Sequence, residues 1–252
     1  MAGNDSCVVL LSGGMDSTTL LAEAVQRFQK VRTLTFNYNQ RHKREIESAK
    51  AVADFYKVPN RVVDVSMINP LLQGSSLTSA EVAVPKGHYE EQSMKATVVP
   101  GRNTILLSIA AGHAASIGFS HISFAAHAGD HAIYPDCRGE YVDAMNKVFS
   151  LFHYFPVKVW APLLFGTKID IIRAGLQMGV PYQLTWTCYD PQEVVSRDRI
   201  EILACGKCGS CVERIEAFVR NKTIDPVPYV DGWDSTSQAA MLTLKIGVSS
   251  VL

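Results

Sequence analysis

The feature that most constrains this fold is a short apolar strand followed directly by a glycine pair and an amphipathic helix. Residues 6–11 (SCVVLL) are apolar, Gly13 and Gly14 follow, and residues 18–28 carry apolar side chains at helical spacing. The pattern then repeats, with strands expected at 31–36 and 61–65 and a helix at 42–56. Alternating strands and helices predict a parallel sheet covered on both faces, with ligands at the carboxyl ends of its strands.

The remainder of the chain continues this pattern as far as residue 180. Residues 67–98, rich in Ser, Gly, Pro and Gln, predict a long loop over the sheet edge, with room for a short hairpin. Asn103 is expected to cap a helix at 104–117, followed by strands at 121–126 and 158–162 and helices at 140–154 and 168–178. The predicted fold class is α/β, a doubly wound parallel sheet of about five strands. The predicted domains are an α/β domain at 1–180, a small metal-binding subdomain at 181–222 and a tail at 223–252.

Charge and hydropathy exclude several classes of function. Lys plus Arg and Asp plus Glu both number 24, so no overall electrostatic attraction to nucleic acid or anionic membrane is expected. No Lys or Arg precedes Arg27, and the first apolar run is too short for a signal peptide or a membrane span. We therefore expect a cytoplasmic protein, in which cysteines stay reduced.

The loop Ser12-Gly-Gly-Met-Asp-Ser17 is the first segment suited to chemistry. Its two glycines let backbone N–H groups approach a phosphate, and the helix behind it adds a partial positive charge. Ser12, Ser17, Thr18 and Thr19 add hydroxyl groups. The loop lacks the Gly-Lys-Ser/Thr of enzymes that transfer a γ-phosphate. The alternative is a plain glycine turn in which Asp16 caps the helix.

Four of the six cysteines lie within 24 residues, at Cys188, Cys205, Cys208 and Cys211. Four thiolates complete a closed tetrahedral zinc site, and Gly206 and Gly209 allow the tight turns that it needs. The same spacing would suit an iron–sulfur cluster, and buried thiols or disulfides are the remaining alternatives. A structural Zn²⁺ is the interpretation we prefer. Cys7 is expected in the core, and Cys137 in a loop.

The phosphate loop resembles that of the N-type ATP pyrophosphatases, which have an adenine-nucleotide α-hydrolase-like fold and cleave ATP between its α and β phosphates. The resemblance implies that residues 11–19 hold ATP, with adenine near Phe36, and that Lys168 is a further phosphate ligand. Lys168 could instead be a solvated lysine in the first turn of a helix. Asp16 could hold Mg²⁺ or simply cap its helix. The implied nucleotide-binding residues are Leu11, Ser12, Gly13, Gly14, Met15, Asp16, Ser17, Thr18, Thr19 and Phe36.

Several further motifs resemble the 7-cyano-7-deazaguanine synthase family of the queuosine pathway. They are residues 36–42 (FNYNQRH), 99–103 (VPGRN), 134–138 (YPDCR), 187–189 (TCY) and the cysteine run. This resemblance implies a ligase that converts 7-carboxy-7-deazaguanine and ammonia to the nitrile through adenylated acid and amide intermediates, releasing AMP and pyrophosphate. The implied catalytic residues are Asp16, Lys168 and Arg102, and the implied substrate ligands are Tyr134, Asp136 and Arg138. Asp136 could equally be an ordinary turn residue after Pro135.

The resemblance also implies a homodimer, for which the aromatic residues of 148–160 are either an interface or core. Ammonia would come from solution or from a partner, and neither a membrane nor a nucleic acid is expected. Three alternatives stay open. They are a relative that stops at the amide or conjugates the deazaguanine to a macromolecule, a tRNA-thiolating enzyme with an iron–sulfur cluster, and a non-catalytic ATP sensor.

Overall fold

The structure, a computed structural model, describes residues 5–38, 44–72, 74–76, 92–196 and 199–230. Within them the strands are β1 (Ser6–Leu10), β2 (Lys30–Asn37), β3 (Asn60–Asp64), β4 (His121–Ser123), β5 (Lys158–Val159), β6 (Gln192–Ser196) and β7 (Arg199–Leu203). The α-helices are α1 (Met15–Arg27), α2 (Arg44–Phe55), α3 (Arg102–Ser116), α4 (Gly139–Leu151), α5 (Lys168–Gln177) and α6 (Gly209–Arg220). Short 3₁₀ turns lie at 66–71, 92–97, 128–130, 135–137 and 182–184.

The central sheet has five parallel strands in the order β3-β2-β1-β4-β5, which confirms the predicted doubly wound fold. Both faces of β1 are buried: Val8 packs into one apolar cluster, and Cys7 and Val9 pack into another. Burial on both faces explains why this strand is a continuous apolar run rather than an alternating one. The strand order reverses between β1 and β4, so the expected ligand crevice lies beyond their carboxyl ends.

Two of the predicted helix starts are wrong. Gly14, rather than Asp16, is the N-cap of α1, so this helix begins three residues earlier than expected and Asp16 lies in its first turn. Gly101 adopts the left-handed conformation (φ 66°) and is the N-cap of α3, so Asn103 lies inside the helix instead of capping it. At Gly101 the left-handed conformation, which glycine adopts without steric cost, lets the chain turn directly into the helix, whereas Gly14 has an ordinary extended backbone. The start of α5 at Lys168 is confirmed, because Thr167 and Asp170 form a capping box.

Strands β4 and β5 are shorter than predicted. The backbone N–H of Trp160 donates to Ile122 at the end of the ladder, and Phe124, Ala125 and Ala126 continue beyond it as cavity wall. The long segment after β3 shows two 3₁₀ turns in its described parts. Residues 77–91 of the segment in which the sequence allowed a short hairpin lie outside the described residues, as do 39–43 and the tail from 231.

The region after residue 180 contains two elements that the sequence reasoning missed: the antiparallel hairpin β6–β7 and the amphipathic helix α6. Helix α6 packs against α5, and Phe218 joins a buried cluster with Met15 and Ile172. Residues 225–229 pack here too, since Asp225 forms a buried ion pair with Arg214 (2.6 Å). The division of the chain at 180 and 222 stays a prediction. Among the described residues no helix is long and apolar enough to cross a membrane.

Candidate active site and cysteine cluster

The loop between β1 and α1 is shaped by close packing of its backbone. Gly13 has a φ of 86°, and a Cβ added there would lie 2.3 Å from the carbonyl oxygen of Glu45, so only glycine fits. Gly14 is the N-cap of α1, and no side chain accepts a hydrogen bond from the first turn of this helix. The N–H groups of that turn are therefore available to an anion. Ser12 and Ser17 join their hydroxyl groups at 2.9 Å and line the adjacent cavity. The loop has the geometry of a phosphate cradle.

Not every residue predicted in this loop faces the cavity. Thr18 and Thr19 are fully buried, and their hydroxyls donate to the carbonyl oxygens of Gly14 and Met15. Met15 is buried in the cluster below the loop. The side chains of these three residues therefore stabilise the start of α1 from behind, while Leu11, Ser12, Asp16 and Ser17 line the cavity, as does Phe36 at the end of β2.

Lys168 lies over this loop at the start of α5. Its ammonium Nζ donates to Asp16 Oδ2 at 2.9 Å and to His127 Nε2 at 2.9 Å, and it lies 3.6 Å from Glu213 Oε2. Burial opposes the charged form, but the carboxylates of Asp16 and Glu213 outweigh burial and raise the pKa of Lys168. Lys168 in turn lowers the pKa of Asp16 against the effect of burial. The alternative of a solvated lysine is wrong, since the side chain is only 15% exposed.

His127 and Glu213 are members of this cluster that the sequence reasoning missed. The His127 side chain is 1% exposed and lies 3.3 Å from Asp130, and burial together with Lys168 lowers its pKa, so the ring is neutral. Glu213 comes from α6, more than forty residues after Lys168, and no local motif marks it. Among the described residues Asp16 Oδ1, His127 Nδ1 and Glu213 Oε2 are buried without a hydrogen-bond partner.

Two adjoining cavities open at the carboxyl ends of β1, β2 and β4. The larger, about 250 Å³, has one apolar wall that includes Leu34, Phe36 and Phe124 and also contains charged residues, and the smaller, about 140 Å³, contains Lys168, His127 and the loop residue Gly14. They share the residues Ser12, Asp16, Glu45, Arg102, Asp130, Cys137 and Tyr189. An apolar wall beside charged groups is suited to a ligand with a flat base and a phosphate chain.

The structure brings only some of the predicted catalytic and substrate residues into the cavity walls. Arg102 lines both cavities with its guanidinium 5.7 Å from the ring centroid of Tyr38, and the buried Tyr134 lines the smaller cavity. Burial raises the pKa of Tyr134 to about 12, so its hydroxyl stays protonated. Asp136 lies in a 3₁₀ turn, and the exposed Arg138 donates through Nε to the carbonyl oxygen of His131. Neither of these two is in the described walls of the two cavities.

Glu45 is a further cavity residue that the sequence reasoning did not single out. It lies in the first turn of α2, where its backbone packs against Gly13 and its side chain lines both cavities. Burial raises its pKa to about 7, an effect that the charge of Arg102 partly offsets. Its only sequence signal is its place at the start of the helix that follows β2. The neighbouring Arg41 and His42 lie outside the described residues.

The four clustered cysteines converge as predicted. The Sγ atoms of Cys188, Cys205, Cys208 and Cys211 lie within 4.8 Å of one another and all four residues are buried. Backbone N–H groups of Cys205, Lys207 and Cys208 donate to these sulfurs at 3.2–3.4 Å, which stabilises thiolate charge. This donor set fits one tetrahedral metal ion of the zinc type. Cys7 is in the core as expected, and Cys137, expected in a loop, lies in a short 3₁₀ turn and lines both cavities.

The cysteine cluster packs directly against the phosphate loop. The N–H of Trp186 donates to the carbonyl oxygen of Gly13 at 2.9 Å, and Cys188 follows two residues later. The Arg44 guanidinium stacks on the Trp186 ring at 4.0 Å and donates to the carbonyl oxygen of Ile202 in β7. The C-terminal elements therefore form one wall of the site.

Comparison with known proteins assigns the chain to a family. The family described as "Queuosine biosynthesis protein QueC" matches residues 6–222. A 7-cyano-7-deazaguanine synthase from Hahella chejuensis is 51% identical over 88% of this chain and 92% of its own length. Those from Pseudoalteromonas atlantica and Methanoregula boonei are 50% and 46% identical over 88% of this chain and 97% and 98% of their own lengths. The chain belongs to the QueC family, which includes these 7-cyano-7-deazaguanine synthases.

Proposed function

We propose that this chain converts 7-carboxy-7-deazaguanine and ammonia to 7-cyano-7-deazaguanine, using ATP and releasing AMP and pyrophosphate. The observation that carries the proposal is the contact of Lys168 with Asp16 above the phosphate loop, where the two cavities meet. Relatives over most of the chain carry the name of this activity. The amide-forming, macromolecule-conjugating, tRNA-thiolating and ATP-sensing alternatives are not favoured.

ATP would bind with its base against the apolar wall of the larger cavity, beside Phe36, and its β and γ phosphates in the loop. The first-turn N–H groups of α1, the hydroxyls of Ser12 and Ser17, and the Lys168 ammonium would take up the charge of the departing pyrophosphate. Asp16 Oδ1, buried without a partner among the described residues, is a donor oxygen that fits Mg²⁺. A bound Mg²⁺ supplies neutralisation of phosphate charge.

The reaction needs two adenylations at one site. A carboxylate oxygen of the acid attacks the α-phosphorus, the bond to the β-phosphate oxygen breaks, and pyrophosphate leaves. Ammonia attacks the activated carbonyl carbon, loses a proton and expels AMP, which gives the amide. The amide oxygen attacks the α-phosphorus of a second ATP and expels pyrophosphate, and loss of AMP and of both N–H protons then gives the nitrile. Arg102, which lines both cavities, is placed to hold the reacting carboxylate and the α-phosphate together.

The assignment of zinc to the cysteine cluster is part of the same proposal. Four buried thiolates leave no open position, so the ion would be structural, and the ion type is settled by elemental analysis of purified protein. One zinc per chain is expected. Iron and sulfide in equal amounts would contradict the assignment and favour the thiolating alternative.

A homodimer is the assembly we propose, with the end of α4 as its interface. Five apolar or aromatic side chains are exposed there, namely Val148, Leu151, Phe152, Tyr154 and Phe155. Phe149 belongs to the core, and Trp160 packs against the apolar cluster that contains Cys7 and Val9. Light scattering at micromolar concentration should give twice the chain mass. A Leu151→Glu variant should give the monomer mass, and a monomeric parent protein would contradict the proposal.

Counting nucleotide against product tests the proposed reaction. The protein is incubated with the acid, ammonia and ATP, and AMP and nitrile are measured by mass. Two AMP per nitrile are expected from the acid and one from the synthetic amide, because each departing oxygen leaves on AMP. Accumulation of the amide without dehydration would identify an amide-forming enzyme, and ADP as product would contradict the α-phosphate chemistry.

A further inference from the structure

Glu45 differs from the other carboxylates in the wall of the larger cavity. Asp16 accepts a hydrogen bond from Lys168 at 2.9 Å, and Asp130 lies 3.3 Å from His127. No described residue lies within hydrogen-bonding or ion-pair distance of the Glu45 carboxylate, although the side chain lines both cavities. A carboxylate in such a position has two acceptor oxygens to offer a bound ligand.

Arg102 provides the complementary charge across the same space. Arg102 lines both cavities too, and its positive charge acts to lower the pKa of Glu45. The described structure nevertheless contains no ion pair within 4.0 Å between these two side chains. A ligand between these two side chains meets a cation at one end and an acceptor pair at the other. Tyr189 lines both cavities as well and offers an aromatic surface to a planar ring.

We infer that Glu45 is a specificity-determining residue that accepts hydrogen bonds from the N1–H and 2-amino groups of the deazaguanine substrate. The inference rests on the proposed function. The 2-amino-4-oxopyrimidine edge presents two adjacent N–H donors, which match the two oxygens of one carboxylate. Adenine presents one donor beside an acceptor nitrogen, which would repel the second oxygen. The substrate's own carboxylate, at the far side of the ring system, would then face Arg102.

The test compares Glu45→Gln with Glu47→Gln, which makes the same change at an exposed position of the same helix. Each variant is given the natural acid and the analogue that lacks the 2-amino group, and kcat/KM is measured for both. ATP affinity is measured separately by calorimetry. Because a bidentate charged contact is lost, E45Q should lower kcat/KM for the natural acid about 10- to 100-fold.

The discrimination between the two acids distinguishes recognition from a merely structural role. The parent protein should prefer the natural acid by about 10-fold or more, and this preference should fall to about 3-fold or less in E45Q. Glu45→Asp, which keeps the carboxylate, should retain part of the preference, and E47Q should match the parent in every measurement. ATP affinity should stay within about 2-fold in all variants.

Three outcomes would overturn the inference. If E45Q weakens ATP binding and leaves the preference between acids intact, Glu45 is a nucleotide ligand. If E45Q behaves as E47Q does, Glu45 has no role in recognition. If calorimetry shows that the parent protein does not bind the natural acid, the proposed function itself has failed, and this inference fails with it.

Discussion

The short segment 186–188 joins the cysteine cluster to the Lys168 cluster. The two clusters differ in whether their polar groups have partners within the protein. The cysteine sulfurs converge on one another and accept backbone N–H groups. Around Lys168, two carboxylates lie within 3.6 Å of the ammonium, a third lies beside His127, and several buried atoms have no hydrogen-bond partner among the described residues. The first arrangement fits a closed site for one metal ion, and the second has unsatisfied groups that fit exchangeable ligands.

The largest effect is expected from opening the cysteine cluster. Cys208→Ser removes one of four ligands, and a structural metal of this kind contributes on the order of 10 kcal/mol to folding. The variant should therefore lose its metal and fail to fold, as circular dichroism and elemental analysis would show. Cys7→Ser, outside the cluster but buried in the core, should keep the metal. A folded, metal-free C208S protein would contradict the structural role.

The Lys168 cluster should respond in the opposite way. Asp16→Ala and Lys168→Ala should each lower ATP-dependent turnover by about 100-fold or more, because each removes a group that acts on phosphate charge. Each variant breaks the Asp16–Lys168 ion pair and should be somewhat less stable, but both should stay folded, since neither residue belongs to the cysteine cluster or to an apolar cluster. Arg173→Ala, an exposed residue on the same helix as Lys168, is the control and should be unchanged. If the Asp16→Ala and Lys168→Ala variants failed to fold, as is expected of C208S, the two clusters would not differ in their roles.

The sequence specified the two clusters unequally, for a physical reason. The four cysteines and the loop residues lie in local motifs, so spacing and side-chain chemistry were enough to predict them. His127, Glu213 and Glu45 join the site from three different elements, and a single sequence carries no signal for such contacts. The missed helix starts at Gly14 and Gly101 have another cause, since each helix begins at a glycine that has no capping side chain, before the polar residue that the sequence offered as a cap.

The free energy of unfolding tests whether Glu45 belongs with the buried groups that lack a partner. Its folded pKa of about 7 exceeds the ordinary value of 4.5, so the unfolded chain releases this proton first as the pH rises. The free-energy cost of ionising Glu45 in the folded protein is absent at pH 4 and grows between pH 4.5 and 7. It lowers the free energy of unfolding by up to about 3 kcal/mol at pH 8 before solvent screening. Glu45→Gln removes it.

Urea unfolding at two pH values measures that penalty. At pH 8 the E45Q variant should be more stable than the parent by about 1 to 3 kcal/mol, and near pH 4 the two should agree within error. Glu47→Gln should show no such pH-dependent gain. If E45Q is less stable than the parent at pH 8, the Glu45 carboxylate is held by a favourable contact and does not belong with the unsatisfied groups.

The smallest effect is expected within the phosphate loop, where neighbouring hydroxyls face different ways. Ser17 lines the larger cavity and joins Ser12, whereas Thr18 is buried and donates to the carbonyl oxygen of Gly14 at 2.8 Å. Thr18→Val keeps the shape and removes one intramolecular hydrogen bond, which is worth about 1 kcal/mol of unfolding free energy. Its turnover should stay within about 3-fold of the parent, while Ser17→Ala should lose about 10-fold or more. Steady-state kinetics alongside urea unfolding separates the two, because T18V should move stability alone and S17A should move turnover. Equal losses of turnover would mean that the Thr18 hydroxyl turns toward the phosphate when ATP binds, and that the loop rearranges rather than being preformed.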